Sequence, residues 1–210
     1  ATSFTVITAS GVLYTFEALY ADSPAQLTVE LEDWLHKDPY GPFASRQTYV
    51  RLSELGDETP LVVNRIMYTI YKRDARHIKT VGSKRFGVQL LLKGIYVQDE
   101  LFYFHTSLRN LSNVDYDIDR VRFRIADRKV AKRTAVQETV IEPVCRFNEI
   151  EAVQAGGTVR NVWAFRKFTI PDDKVLVMDV FERNGGRHQS FMVGNTDLVD
   201  ARTVTELKVR

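Results

Sequence analysis

Apolar and polar residues alternate with a period of two through Ser3-Phe4-Thr5-Val6-Ile7-Thr8. They do so again through Val12-Leu13-Tyr14-Thr15-Phe16-Glu17-Ala18-Leu19-Tyr20, the pattern of two strands. Ala9-Ser10-Gly11 lies between them as a turn, so a β-hairpin opens the chain. Two strands alone are marginally stable, and this hairpin is expected to pack on further structure, from this chain or another. From 21 to 53 the pattern is mixed. Leu27, Leu31, Trp34 and Leu35 share a helical face, yet Leu27-Thr28-Val29-Glu30-Leu31 fits a strand equally well. Asp38-Pro39-Tyr40-Gly41-Pro42 breaks either element and reads as a loop or linker.

A helix is predicted from Thr59-Pro60. Thr59 can cap it, and Pro60 suits the first helical position, where its missing N–H would be unpaired anyway. Val63, Ile66, Met67 and Ile70 form the apolar stripe, and the helix should fade through Lys72–His77 and end before Gly82. Beyond Gly82 the spacing predicts antiparallel strands over Phe86–Val97, Leu101–Leu108, Tyr116–Ile125, Val136–Ile141, Arg160–Phe168, Lys174–Phe181 and His188–Val193, with Thr203–Val209 closing a sheet. Gln98-Asp99-Glu100 joins the first pair. Asn184-Gly185-Gly186 joins the last, and Asn-Gly favours a tight turn because both residues accept positive φ. The fold class is therefore mainly β. An antiparallel β-sandwich, immunoglobulin-like or similar, over 81–210 follows an N-terminal region, 1–80, of hairpin, linker and one helix. There is no internal repeat.

Composition changes little. Of 210 residues, 44% are hydrophobic and 27% charged, which excludes wholesale disorder. The 29 basic and 27 acidic residues leave +2, too balanced for a protein whose main work is neutralising phosphates. Cys145 is the one cysteine, so neither an internal disulfide nor a Cys-rich zinc site is expected. No apolar run reaches the roughly 18–20 residues a membrane span needs. The chain starts Ala1-Thr2-Ser3, and a trimmed N-terminus is expected.

The signatures of phosphate-binding loops, dinucleotide sites and acyl-transfer elbows are absent. His36, His77, His105 and His188 are isolated, and a zinc site would have to assemble from distant positions. Asp115-Tyr116-Asp117-Ile118-Asp119 resembles the start of a calcium loop but lacks its Gly and its twelfth-position Glu. A solvated strand face, salt-bridged to the arginines that follow, suits it better. Cys145, with no base near it in sequence, reads as a small packed residue. No catalytic, cofactor-binding or metal-binding residue is assigned, and no enzymatic activity is expected.

The most distinctive local feature is basic. Arg120, Arg122 and Arg124 alternate with Val121, Phe123 and Ile125, which places three guanidinium groups on one face of a strand and Phe123 in the core. Arg128, Lys129, Lys132 and Arg133 continue the strip. It can be an internally paired face, a protein-docking surface or a nucleic-acid track, although groove readers interleave exposed aromatics for stacking. The tip formed by Asn184, Arg187 and His188 is a second candidate interaction surface.

Longer strings carry a resemblance. Arg76-His77-Ile78-Lys79, Gly82-Ser83-Lys84-Arg85-Phe86-Gly87, Leu92-Lys93-Gly94-Ile95-Tyr96-Val97 and the run from Asp127 to Glu138 resemble the TraN proteins of conjugative transposons from Bacteroides-type bacteria. So do Phe168–Lys174, Glu182–Gln189 and Asn195–Val199; together the matches span residues 60–205. Thr2–Phe16 is similar to the end of the N-terminal domain of the outer-membrane core subunit of type IV secretion systems, with Phe4 where that segment has Leu. The resemblance implies a periplasmic, outer-membrane-associated structural subunit of a conjugation channel. Its implied partners are a lipoprotein and an inner-membrane-spanning core subunit, assembled in a multi-copy ring. It implies a signal peptide and further β structure before residue 1, and transfers no catalytic residue. An oxidising periplasm suits the lone Cys145 if it is buried. Two other readings stay open. One is a DNA-contacting accessory protein of the transfer apparatus, which needs the arginine strip unpaired. The other is a secreted glycan-binding sandwich, with Tyr40, Tyr49, Tyr103 and Trp163 as a stacking platform.

Overall fold

The computed structural model describes residues 2–7, 13–22, 49–50, 60–128 and 138–207. The opening alternation forms β1 (Thr2–Ile7) and β2 (Leu13–Ala18), paired antiparallel with Thr2 opposite Ala18 and Ile7 opposite Leu13. The expected Ala9–Gly11 turn, the 38–42 loop, the Thr59 cap and Tyr40 lie outside the described residues. Helix α1 spans Pro60–Arg73, beginning at the proline as expected. It stops sharply at Asp74, whose left-handed backbone (φ 51°) places its N–H on the Ile70 carbonyl.

The remaining strands form two sheets. The larger one joins β3 (Tyr49–Val50), β4 (Gly82–Arg85), β5 (Val88–Gln98), β6 (Leu101–Asn110), β9 (Cys145–Phe147), β11 (Thr158–Arg166) and β14 (Arg202–Thr203). Its spatial order is β14-β5-β6-β11-β9-β3, with β4 also on β5. The smaller sheet runs β10 (Ala152–Val153), β7 (Tyr116–Asp127), β12 (Lys174–Glu182), β13 (Gln189–Val193), with β8 (Thr139–Val140) also on β7. Every pairing is antiparallel except β14 on β5. Among the described residues the fold is mainly β, with antiparallel sheets packed as a sandwich, as the spacing predicts.

Strand alternation builds two cores. On one face of the large sheet, Leu90, Phe104, Trp163 and Phe165 meet Phe123 and Met178 of the small sheet. Phe123 sits edge-on to Phe165 at 4.8 Å and to Trp163 at 5.3 Å. On the other face, Val63, Ile66, Met67 and Ile70 of α1 cover Tyr103 and Val162. Burying four such aliphatic side chains contributes roughly 1.5–3 kcal/mol each. The central strands of the large sheet are thus covered on both sides, which explains the unbroken apolar run Val162-Trp163-Ala164-Phe165.

Several expected elements shift. Phe86 and Gly87 are not strand but the two-residue turn joining β4 to β5, both at positive φ (53° and 72°). Of the predicted Val136–Ile141 strand, only Thr139–Val140 is strand among the described residues. Of the predicted Thr203–Val209 strand, only Thr203 is strand among the described residues. After Arg202–Thr203 the chain turns into a 3-10 turn, Val204–Leu207, because Val204 and Leu207 drop together into the core beneath α1. The connection after β12 runs from Arg183 to His188, longer than a tight Asn-Gly turn, with positive φ at Asn184 alone. The Glu182 carboxylate folds across Gly185, where a Cβ would lie 2.1 Å from Oε2.

Candidate docking surface

The small sheet turns one face to the core and the other outward, although at one end of that outer face Ala126, Val175 and Val177 form a buried apolar cluster of their own. On that outer face strand register sets up rows across three strands: Arg120 beside Phe181, Arg122 beside Asp179 and Ser190, Arg124 beside Val177 and Met192. The three arginines do share one face, with Phe123 buried behind them. Two of them are paired. Arg122 Nη2 donates to Glu138 at 2.9 Å, and Arg124 donates to Glu138 and, through Nε at 2.9 Å, to Asp179. Arg120 stacks over Phe181 at 4.6 Å, and Phe181 in turn meets His188 edge-on at 5.2 Å. Two exposed apolar side chains flank the row, Val140 (49%) and Met192 (61%). A groove of about 500 Å³ runs beside it, bounded by Lys84 and Arg85 of β4 and by Phe181, His188 and Met192.

Arg128 is exposed just past β7, its backbone N–H on Asp173 O. Lys129, Lys132 and Arg133 lie outside the described residues. The carboxylates paired with Arg122 and Arg124 are Glu138 and Asp179 rather than the expected Asp115–Asp119 run. Tyr116 and Ile118 of that run face the core, and Asp115 Oδ1 accepts the Ala155 N–H at 2.8 Å. Sequence reasoning missed Glu138, Asp179, Phe181, Val140, Met192, Lys84 and Arg85. Only strand order brings them beside the arginines.

The second candidate surface divides. Asn184 is exposed at the turn, and His188 Nδ1 accepts the Glu182 N–H at 3.3 Å. Arg187 is not a free docking residue. It donates to Glu182, to Ser112 Oγ and to the carbonyls of Val114 and Asp115, and lies over the Tyr116 ring at 5.3 Å. Its hydrogen bond and charge hold the Glu182 carboxyl below its ordinary range despite burial. Burial, with Glu182 beside it, pushes the Tyr116 hydroxyl up to about 12.

Beneath the end of α1 a separate group gathers. Asp74 pairs with Lys93 and with Arg160 Nη1 at 3.1 Å, and His105 Nε2 lies 3.5 Å from Asp74 Oδ1. Burial alone would raise the Asp74 pKa, but the hydrogen bonds and charges of Lys93 and Arg160 bring it below its ordinary value. Cys145 is packed under α1, and burial pushes its thiol up to about 12, so it stays protonated and unreactive. Of the four aromatics considered for a stacking platform, Tyr103 and Trp163 are buried, each in a different core, and form no platform.

A family model described as a domain of unknown function (DUF4138) matches residues 60–203, which hold the helix and every strand of the two sheets but β3. No curated protein matches the chain.

Proposed function

We propose that this chain, which belongs to the DUF4138 family, is a non-enzymatic structural subunit of a conjugative DNA-transfer channel of the TraN type. It acts at the periplasmic side of the outer membrane through protein–protein assembly. Its partners are a lipoprotein and an inner-membrane-spanning core subunit, within a ring of its own copies. The strings quoted above support the TraN assignment. The observation that carries a docking role is the outer face of the small sheet, where Arg120, Arg122 and Arg124 stand between exposed Val140 and Met192. Arginine and methionine are enriched at protein interfaces, and charged rows set register and partner choice more than raw affinity. Rings need heterologous surfaces of this kind. Among the described residues no helix is long and apolar enough to cross a membrane.

A DNA-contacting role is less well supported, because it needs unpaired guanidinium groups and Arg122 and Arg124 already hold Glu138 and Asp179. The test is co-purification of full-length protein with its operon neighbours, wild type against Arg120→Glu with Met192→Asp. Both side chains are exposed, so folding should survive while assembly and conjugation are lost. Unimpaired conjugation by the stably expressed double variant would overturn the reading.

A further inference from the structure

One end of the sandwich presents large apolar side chains that the docking face does not use. Phe86 is 64% exposed at the β4–β5 turn, and Leu111 (41%) and Val114 (65%) are exposed in the β6–β7 connection. These loops touch: the Leu111 N–H donates to Gly87 O at 2.6 Å. They are also held stiff from below. Asn110 is fully buried, and its Nδ2 donates to Val114 O at 2.8 Å and Val153 O at 3.1 Å while its Oδ1 accepts from Ser112. Arg187 clasps the carbonyls of Val114 and Asp115.

Phe86 is the informative residue. Its φ of 53° is one that Gly or Asn adopts readily and a bulky aromatic does not. Its side chain gains little burial in return. A residue that costs the fold and stays in water is explained by what its ring meets outside. Basic residues stand beside the apolar tips: Arg85 precedes Phe86, and exposed Arg109 lies two places before Leu111. Of the nearby carboxylates Glu182 is paired with Arg187, and exposed Asp115, which accepts the Ala155 N–H, is outnumbered by Lys84, Arg85 and Arg109.

We propose that this end of the sandwich docks on a membrane surface containing anionic phospholipid. Phe86, Leu111 and Val114 enter the headgroup layer, and Arg85 and Arg109 lie against the phosphates. The three side chains stand exposed on two short connections, which suits a bilayer interface that yields to them; a protein partner would need a matching pocket. Apolar side chains flanked by arginines match the two layers of such an interface, acyl boundary below and anionic charge above. This inference stands apart from the channel reading and does not depend on it.

The test is sedimentation of the full chain with vesicles of phosphatidylcholine doped with phosphatidylglycerol, and with phosphatidylcholine alone. Wild type should sediment with the anionic vesicles and far less with the neutral ones. Phe86→Asn should bind roughly tenfold more weakly while its Tm stays level or rises, because Asn accepts the turn's φ. Leu111→Ser with Val114→Ser should add to the loss. Failure of wild type to sediment, or equal binding by Phe86→Asn, would overturn the proposal. So would a dimer in light scattering that needs Phe86 and forms without vesicles, since a second copy would then be the occupant.

Discussion

Two groups of paired charges have side chains of similar exposure, but only one of them rests on a fully buried histidine. Under α1, Asp74 binds Lys93 and Arg160, with side chains 39%, 12% and 30% exposed, against a fully buried His105. On the outer face of the small sheet, Arg122 and Arg124 share Glu138 and Arg124 also holds Asp179; Arg122 and Glu138 are about one-third exposed, Arg124 21% and Asp179 13%. In the first group water reaches Asp74 and Arg160 but cannot easily replace a lost partner at Lys93 or His105, so those two depend on their neighbours. In the second, solvent reaches Arg122 and Glu138, while Arg124 and Asp179 are more enclosed. The difference teaches that a charge pair anchors a fold only where desolvation makes its loss expensive. Arg122 and Glu138 are open to re-pairing by another chain, and His105 and Lys93 are not.

The comparison can be broken first by acid. Burial, and then the Lys93 charge, hold His105 down to about 4, against 6.5 for an ordinary histidine, with Asp74 and Arg160 also facing it. Between those values the unfolded chain binds a proton that the folded chain refuses. Stability should therefore fall as pH drops from 6.5 towards 4, by up to about 3 kcal/mol. Asp74, with its lowered pKa, stays ionised through that window. Urea denaturation at pH 7 and pH 4.5 measures the slope, and His105→Gln should flatten it. An unchanged slope in that variant would mean the imidazole is not the group responsible.

A smaller loss is expected for Asp74→Asn. Asparagine tolerates the left-handed backbone that ends α1, so the substitution removes charge and leaves the cap. Lys93 is then left without its carboxylate, and the cost should be about 2 kcal/mol at neutral pH. The smallest effect belongs to the exposed row. Arg122→Ala should change stability by less than about 0.5 kcal/mol, and by less still in high salt. A larger loss there would erase the distinction between the two groups.

Local periodicity made much of the fold legible. The Val63, Ile66, Met67, Ile70 stripe and the Pro60 start located α1, and alternation through Arg120–Ile125 put Phe123 inside and the arginines outside. Cys145 read correctly as packed. The short strands β9 and β10 escaped, because two or three residues carry no period to detect. Phe86 misled because its β-forming side chain argued for strand while Gly87 after it marked the turn. Arg187 looked like its neighbours at the hairpin tip, and only the fold aims its fork at carbonyls 72 and 73 residues away.

What the sequence determined by itself was the facing of each long element, since a side chain's face follows from its position within a period of two or 3.6. What the tertiary structure alone decided was pairing. Arg124 meets Asp179 across 55 positions, His105 lies under Asp74, and Lys84 and Arg85 border a groove beside Met192. Charges interact strongly only within a few ångströms, and which ones come that close depends on strand order and register. Those in turn follow from how two sheets and a helix bury their apolar faces together, which no local pattern contains.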